Sequence, residues 1–330
     1  MEERDVVIIG AGPAGLSAAI FTQLDGWSTL VLEDSWAGGQ GAIAYTVTNY
    51  PGFPPGDGAV LMENMEKQVT SAPPAGVGAE LRNEKVISLN AEDRIIATES
   101  NQYHAQAIII ATGSTMQRLG VPGEEKFTGK GVSYYAKRDL AKFAGRRVLV
   151  VGGGNTTAKS ALLANNVASE VTLIHRRESL RAYLAMTKRL QKEDVRVWYN
   201  IELKEIKGAD WVEAAIVTNN KTGEQKELAI DWIVICVGTE PDTILAREAA
   251  LKMNGSFVKI NDQMMTSRPG VFACGEITGS ERHLITAASE GSSAGMAVSE
   301  YLALEKAKRG EMFEGAKNGK YADEYLAMLK

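Results

Sequence analysis

Two glycine-rich loops are the places in this 330-residue chain where residue type and spacing can do chemistry. The run VVIIGAGPAG (6–15) sets Gly10, Gly12 and Gly15 in a G-x-G-x-x-G pattern, with Pro13 and Ala14 between the last two glycines. Gly10 permits a tight turn, Gly12 lets a pyrophosphate approach the backbone, and Gly15 lets helix and strand pack closely. The helix that opens there offers free N–H groups and a positive dipole end to phosphate. Glu33 ends the next apolar run, STLVLE (28–33), at the spacing where an acid holds a ribose hydroxyl. Such a glycine pattern alone says little. With strand, helix and terminal acid all in place it predicts a dinucleotide site.

The chain then says the same thing again at VLVVGGGNTT (148–157). Gly152 and Gly154 repeat the loop, Asn155 and Thr156 open the helix, and Thr157 stands where the third glycine would be. The position equivalent to Glu33 is His175, followed by Arg176 and Arg177, with Arg181 four residues on. An acid there would repel a 2′-phosphate, whereas arginine binds one through paired charge-assisted hydrogen bonds. The second nucleotide is therefore expected to be NADPH.

Each loop must be held by a β-α-β unit, which builds parallel sheets with right-handed crossovers. The run AIIIATGS (107–114) is a strand ending in Ala111, Thr112 and Gly113, and DWIVICVGTEPDT (231–243) is its counterpart in the second unit. GVFACGEI (270–277) is a further strand ending at Gly275 and Glu276, ahead of a long helical stretch from about 284 to 306. The expected fold is α/β, with two Rossmann-like three-layer domains, one inserted into the other. Residues 1–116 and 244–306 form the outer domain, 117–243 the inner one, and 307–330 an extension. TSAPPAG (70–76) reads as loop and NNKTGEQKE (219–227) as a charged hairpin turn.

Composition narrows the class. Net charge is −5 and the pI about 5.5, which favours neither nucleic acid nor an anionic membrane as partner. The first apolar run follows no basic leader and is short of membrane length, so no signal peptide or span is expected and a cytoplasmic location is. The two cysteines, Cys236 and Cys274, lie in apolar runs and read as buried thiols. With three scattered histidines, no metal site is expected.

The segments GPAGLSAAI, GGQ (38–40), TNYPGFP (48–54), ATGS, GVPGEEKF (120–127), GVSYYAKRD (131–139), HRRESLRA and RHLITAASEG (282–291) follow one another in this order. Over residues 5 to about 305 the chain thereby resembles the low-molecular-weight thioredoxin reductases. That resemblance implies an FAD domain split around an NADPH domain, a homodimer, and a rotation between domains. It also implies that Gly39, Gln40 and Asn49 approach the flavin and its ribityl chain. Glu276 stands where the family usually has an aspartate near the ribityl hydroxyls. His283, Leu284 and Ile285 begin the helix whose N–H groups face the flavin's pyrimidine side, and His283 itself is either a proton donor or an ordinary cap.

One departure bears on function. The family follows GVSY with Cys-x-x-Cys and Asp, whereas here Tyr135, Ala136, Lys137, Arg138 and Asp139 follow. Tyr135 and Arg138 occupy the two redox-cysteine positions, and thiol–disulfide exchange needs both an attacking and a resolving thiol. No side chain is assigned a catalytic role beyond FAD itself, and electrons are expected to pass to an external acceptor. The first expectation is a ferredoxin or flavodoxin. The cysteine-free segment and the C-terminal extension are similar to ferredoxin/flavodoxin–NADP reductases of the thioredoxin-reductase type, the extension being either a cover for the flavin through Tyr321 or Tyr325 or an amphipathic tail that packs on a dimer partner. TNYPGFP and the acidic pI count against it, although Lys137, Arg138, Arg146 and Arg147 are local basic groups. A second expectation is reduction of a disulfide, quinone, oxygen or peroxide directly at the flavin. A third is a redox sensor without turnover.

Overall fold

A computed structural model describes residues 1–71 and 78–311; Tyr321, Tyr325 and most of the 70–76 loop lie outside the described residues. The chain divides into two compact units, Met1–Ser114 with Pro241–Lys330, and Thr115–Glu240.

In the first unit the strand Glu2–Ile9 ends in four consecutive buried residues. Apolar residues can run unbroken there because both faces of the sheet are covered. Val6 and Ile8 join one core with Leu16, Ala18 and Val298, while Val7 and Ile9 join another with Leu30, Leu32 and Ile108. Full burial of each such side chain is worth roughly 1.5–3 kcal/mol. The strand pairs in parallel with Thr29–Glu33 on one side and Gln102–Ile110 on the other. Glu80–Asn83 extends the first edge, also in parallel. Beyond Gln102–Ile110, Val271–Ala273 pairs in parallel with its end, and Ile95–Thr98 pairs antiparallel with its beginning.

Two helices close one face of that sheet. Pro13–Leu24 lies against Leu284–Lys308, and the crossing leaves no room for side chains. A Cβ on Gly291 would come within 2.0 Å of the Ala14 carbonyl oxygen, and one on Gly295 within 2.7 Å of that of Ala18. Glycine in a helix interior costs up to about 1 kcal/mol relative to alanine, and close packing is what that cost supports here.

The second unit has a five-stranded parallel sheet, in the order Arg196–Tyr199, Glu170–His175, Arg147–Gly152, Trp232–Cys236, Val132–Ser133. A three-stranded antiparallel sheet of Ile201–Lys207, Ala214–Asn219 and Gln225–Ala229 packs its Leu203, Ile206 and Val217 into the same core as Leu149, Val151 and Ile233. The charged run 219–227 supplies the hairpin turn between the last two of these strands. The two chain crossings, Ser114–Met116 and Thr239–Pro241, pair as a two-stranded ribbon. Among the described residues no helix is long and apolar enough to cross a membrane, and no group of His, Cys, Asp or Glu could hold a metal ion.

Candidate functional site

In the first unit, the strand Glu2–Ile9 delivers its glycine loop to the N-terminus of the twelve-residue helix Pro13–Leu24. Gly10 has φ +104°, and a Cβ there would lie 2.4 Å from the Ala111 carbonyl oxygen. Gly15 faces the Gly10 carbonyl at 1.9 Å in the same sense, so helix and loop close on each other. Gly12 differs: a Cβ would meet nothing within 4 Å. That open backbone, at a helix N-terminus with unsatisfied N–H groups, is a cradle of the kind a pyrophosphate fills. Pro13 at the first helical position has no N–H to leave unpaired, and Ala14 is buried against Gly275 and Gly291.

Glu33 accepts a hydrogen bond from the Ala11 N–H at 2.8 Å through Oε2, and through Oε1 from Ser35. Burial pushes its carboxyl above the usual range and Asp34 adds to this, against the bonds from Ala11 and Ser35. The loop that follows folds back over the first. The Gly38 N–H donates to the Ala11 carbonyl at 2.7 Å, and a Cβ on Gly39 would sit 3.5 Å from Gly12 Cα. The Gln40 amide donates to the Ser114 carbonyl at 3.2 Å, and the Ser114 hydroxyl to the Glu276 carboxylate. Ala111 is tied to Ile9 through its N–H, and the Thr112 hydroxyl donates to the Asp242 carbonyl at 2.6 Å, next to Gly113. Asn49 is exposed in a loop closed by the Val47–Gly56 bridge.

Gly275 (φ +82°, ψ −158°) is a conformation only glycine adopts readily. Its N–H donates to Glu290 at 2.8 Å, as does the Thr278 hydroxyl at 2.9 Å. Glu290 thus fixes the turn that presents Glu276, a role no motif in the sequence indicates. His283 is the N-cap residue of Leu284–Lys308 by backbone conformation, but its side chain makes no capping bond. Leu284 packs into the core near Gly41 while Ile285 is exposed.

The second loop is built to a different plan. Gly152 (φ +146°) would press a Cβ to 2.2 Å from the Cys236 carbonyl, and Gly154 is as open as Gly12. Thr157 replaces the third glycine because its hydroxyl is used: it donates to the Cys236 carbonyl at 3.1 Å and accepts from the Gly154 N–H at 3.3 Å. Asn155 caps a neighbouring segment, its Oδ1 accepting from the Tyr183 N–H, and Thr156 is exposed in the first helical turn. His175 is buried beneath Gly153, where a Cβ would lie 2.1 Å from the ring. Burial holds the imidazole below its usual pKa, against a hydrogen bond to the Gly152 backbone, and the charges of Arg181, Arg177 and Arg176 push the same way as burial. The ring is thus neutral at physiological pH, with Nε2 buried and without a partner. Arg176, Arg177 and Arg181 are all exposed, and the Arg181 N–H is held by the Gly153 carbonyl at 2.7 Å. Exposed guanidinium groups gathered beside an open helix N-terminus suit a phosphorylated ribose. Gly153 has no part in the dinucleotide pattern, and its one signal in the sequence is its place in the middle of three consecutive glycines.

Tyr135 and Arg138 lie in the second unit, on and just before the short helix Ala136–Asp139. The Arg138 guanidinium stacks over the Tyr135 ring, 5.0 Å from its centroid. Asp139 is buried; burial raises its pKa, but Lys142 at 2.7 Å, the Ser133 hydroxyl and Arg138 outweigh it and hold the carboxyl below its usual range. Neither cysteine is paired; Cys274 is buried as expected, whereas Cys236, at the end of its strand, is half-buried. Burial pushes the Cys236 thiol up to about 11 and Cys274 higher still, so both stay protonated at neutral pH.

The chain matches the pyridine nucleotide-disulphide oxidoreductase family over residues 4–291. It is 37% identical over 305 residues to the thioredoxin reductase of Treponema pallidum, spanning 91% of this chain and 97% of that protein. Among solved structures, the thioredoxin reductase of Lactococcus lactis superposes with a TM-score of 0.83 at 34% identity, covering 91% of this chain and 99% of that one. The ferredoxin-flavin thioredoxin reductase of Clostridium acetobutylicum superposes with a TM-score of 0.50 at 28% identity, covering 92% and 99%.

Proposed function

The chain belongs to the pyridine nucleotide-disulphide oxidoreductase family, and from that premise we propose that this thioredoxin-reductase-like, FAD- and NADPH-dependent oxidoreductase reduces an external disulfide or small oxidant with no thiol relay of its own. Bound FAD would supply the redox chemistry, taking up a hydride equivalent from NADPH and passing on two electrons to the acceptor. Gly12 and the first helix hold the flavin nucleotide's pyrophosphate, Glu33 its ribose, and Gln40 and Glu276 the chain leading to the ring. Gly154 and the second helix hold the NADPH pyrophosphate, while Arg176, Arg177 and Arg181 hold the 2′-phosphate. The carrying observation is the stacked pair Tyr135 and Arg138 in place of two cysteines, together with two other thiols that burial keeps protonated.

The names of the relatives favour a disulfide over the ferredoxin or flavodoxin acceptor that the missing cysteines first suggest. A second reading, with a ferredoxin or flavodoxin as partner, draws support from the likeness to a ferredoxin-flavin thioredoxin reductase. An anaerobic acceptor panel tests both. NADPH should bleach the flavin's visible absorption, and thioredoxin disulfide, a small disulfide or a quinone should restore it. Restoration by ferredoxin or flavodoxin alone selects the second reading. No bleaching at all would make the protein a sensor, and a mixed disulfide trapped on Cys236 or Cys274 during turnover would defeat both readings. A cytoplasmic homodimer is the expected form, and native mass measurement checks the dimer.

A further inference from the structure

Ser114 joins two segments that the sequence keeps far apart. Its carbonyl accepts the Gln40 amide at 3.2 Å, and its hydroxyl donates to Oε2 of Glu276. The other carboxylate oxygen of Glu276 lies 3.9 Å from Arg282 Nε, and the backbone beneath it is pinned by Glu290 through Gly275 and Thr278. A glutamate has one more rotatable bond than an aspartate, so a carboxylate that must meet a ligand at a fixed point needs an external anchor. Ser114 supplies that anchor, and it does so from the same residue that steadies Gln40.

We propose that Ser114 is a positioning residue for the flavin cofactor, its hydroxyl fixing the Glu276 carboxylate and its carbonyl the Gln40 amide against the chain leading to the flavin ring. The proposal rests on the reading that Gln40 and Glu276 hold that chain. Ser114→Ala removes the hydroxyl but keeps the carbonyl, so only the Glu276 anchor is lost.

The test is a double-mutant cycle on apoprotein titrated with FAD, read as the FAD Kd and as the visible circular dichroism of the bound flavin. Ser114→Ala should raise the FAD Kd about tenfold, the effect of losing one charge-assisted hydrogen bond, and change the dichroism. Combined with Glu276→Ala it should add nothing to the loss from Glu276→Ala alone, and Ser114→Thr should restore the wild-type values. Glu276→Asp, which withdraws the carboxylate from the other side of the bond, should match Ser114→Ala. Additive losses, or an unchanged Kd and dichroism in Ser114→Ala and Glu276→Asp, overturn the positioning role. An unchanged FAD affinity in Glu276→Ala overturns instead the flavin assignment beneath it.

Discussion

Replacing Gly153 with alanine isolates the packing beneath the second nucleotide loop. The new Cβ would lie 2.1 Å from His175 Cε1 and 2.3 Å from Nδ1. Ordinary carbon contacts begin near 3.5 Å, so ring and loop must part by about 1.4 Å. The ring has nowhere easy to go, because His175 is buried in the strand Glu170–His175 and bonded to the Gly152 backbone. Overpacking of this size costs about 1–3 kcal/mol. If the loop yields rather than the ring, the same energy appears as a rise of roughly 5- to 150-fold in the NADPH Kd. The FAD Kd should not move, since every residue assigned to it lies in the other unit. The assay pairs thermal unfolding with separate NADPH and FAD titrations. Adding His175→Ala removes the ring and should recover part of the lost stability. A Gly153→Ala protein with wild-type unfolding temperature and NADPH affinity would refute the reasoning, as would a double variant no better than the single.

Other outcomes follow from the same geometry. Arg176→Ala with Arg177→Ala should raise the NADPH KM by about tenfold or more and leave the NADH KM nearly unchanged; equal changes would remove the 2′-phosphate assignment. Asp139→Asn should lower stability at neutral pH by about 1–3 kcal/mol, because it removes the charge that faces Lys142 and leaves a single amide oxygen where Lys142 and the Ser133 hydroxyl each meet a carboxylate oxygen. The Asp139 pKa is lowered in the folded state, so its contribution is present above the ordinary value of 3.8 and fades as pH falls through the folded value. The stability gap between wild type and Asp139→Asn should therefore close in acid, and a gap that widened would contradict the ion-pair account. With Cys236 at about 11, roughly one thiol in a thousand is ionised at pH 8. Iodoacetamide should label the native protein slowly and the unfolded protein fast, and rapid native labelling would count against the buried-thiol reading.

The glycine loops were legible because a dinucleotide loop is a local object, with turn, helix start and terminal acid or arginine all within one β-α-β unit. The parallel sheets were legible for the same reason: unbroken apolar runs such as Val6–Ile9 require cover on both faces. What the sequence concealed depends on contacts between distant segments. Ser114 meets Glu276 and Gln40 only after three separate stretches converge, and Glu290 reaches back across a turn to Gly275. The use of Thr157 was hidden differently. Its position matched a missing glycine, and only the Cys236 carbonyl facing it reveals that a hydroxyl is wanted there. The identity of the acceptor was not legible, because removing two cysteines states what the chain does not carry and leaves open what it meets.

The insertion of one unit's sequence within the other's has a consequence for biosynthesis. As the chain leaves the ribosome, Thr115–Glu240 is the first unit to emerge whole. The earlier glycine loop is made first but still lacks Val271–Ala273 beside its sheet and the late helix whose Gly291 and Gly295 receive Ala14 and Ala18. Closing the inner unit brings the two crossing strands together and so shortens the loop that the outer unit must close. The oldest residues of the nascent polypeptide thus wait on some of the youngest, and chains stalled before the late helix would carry an unfinished cradle beside a finished one.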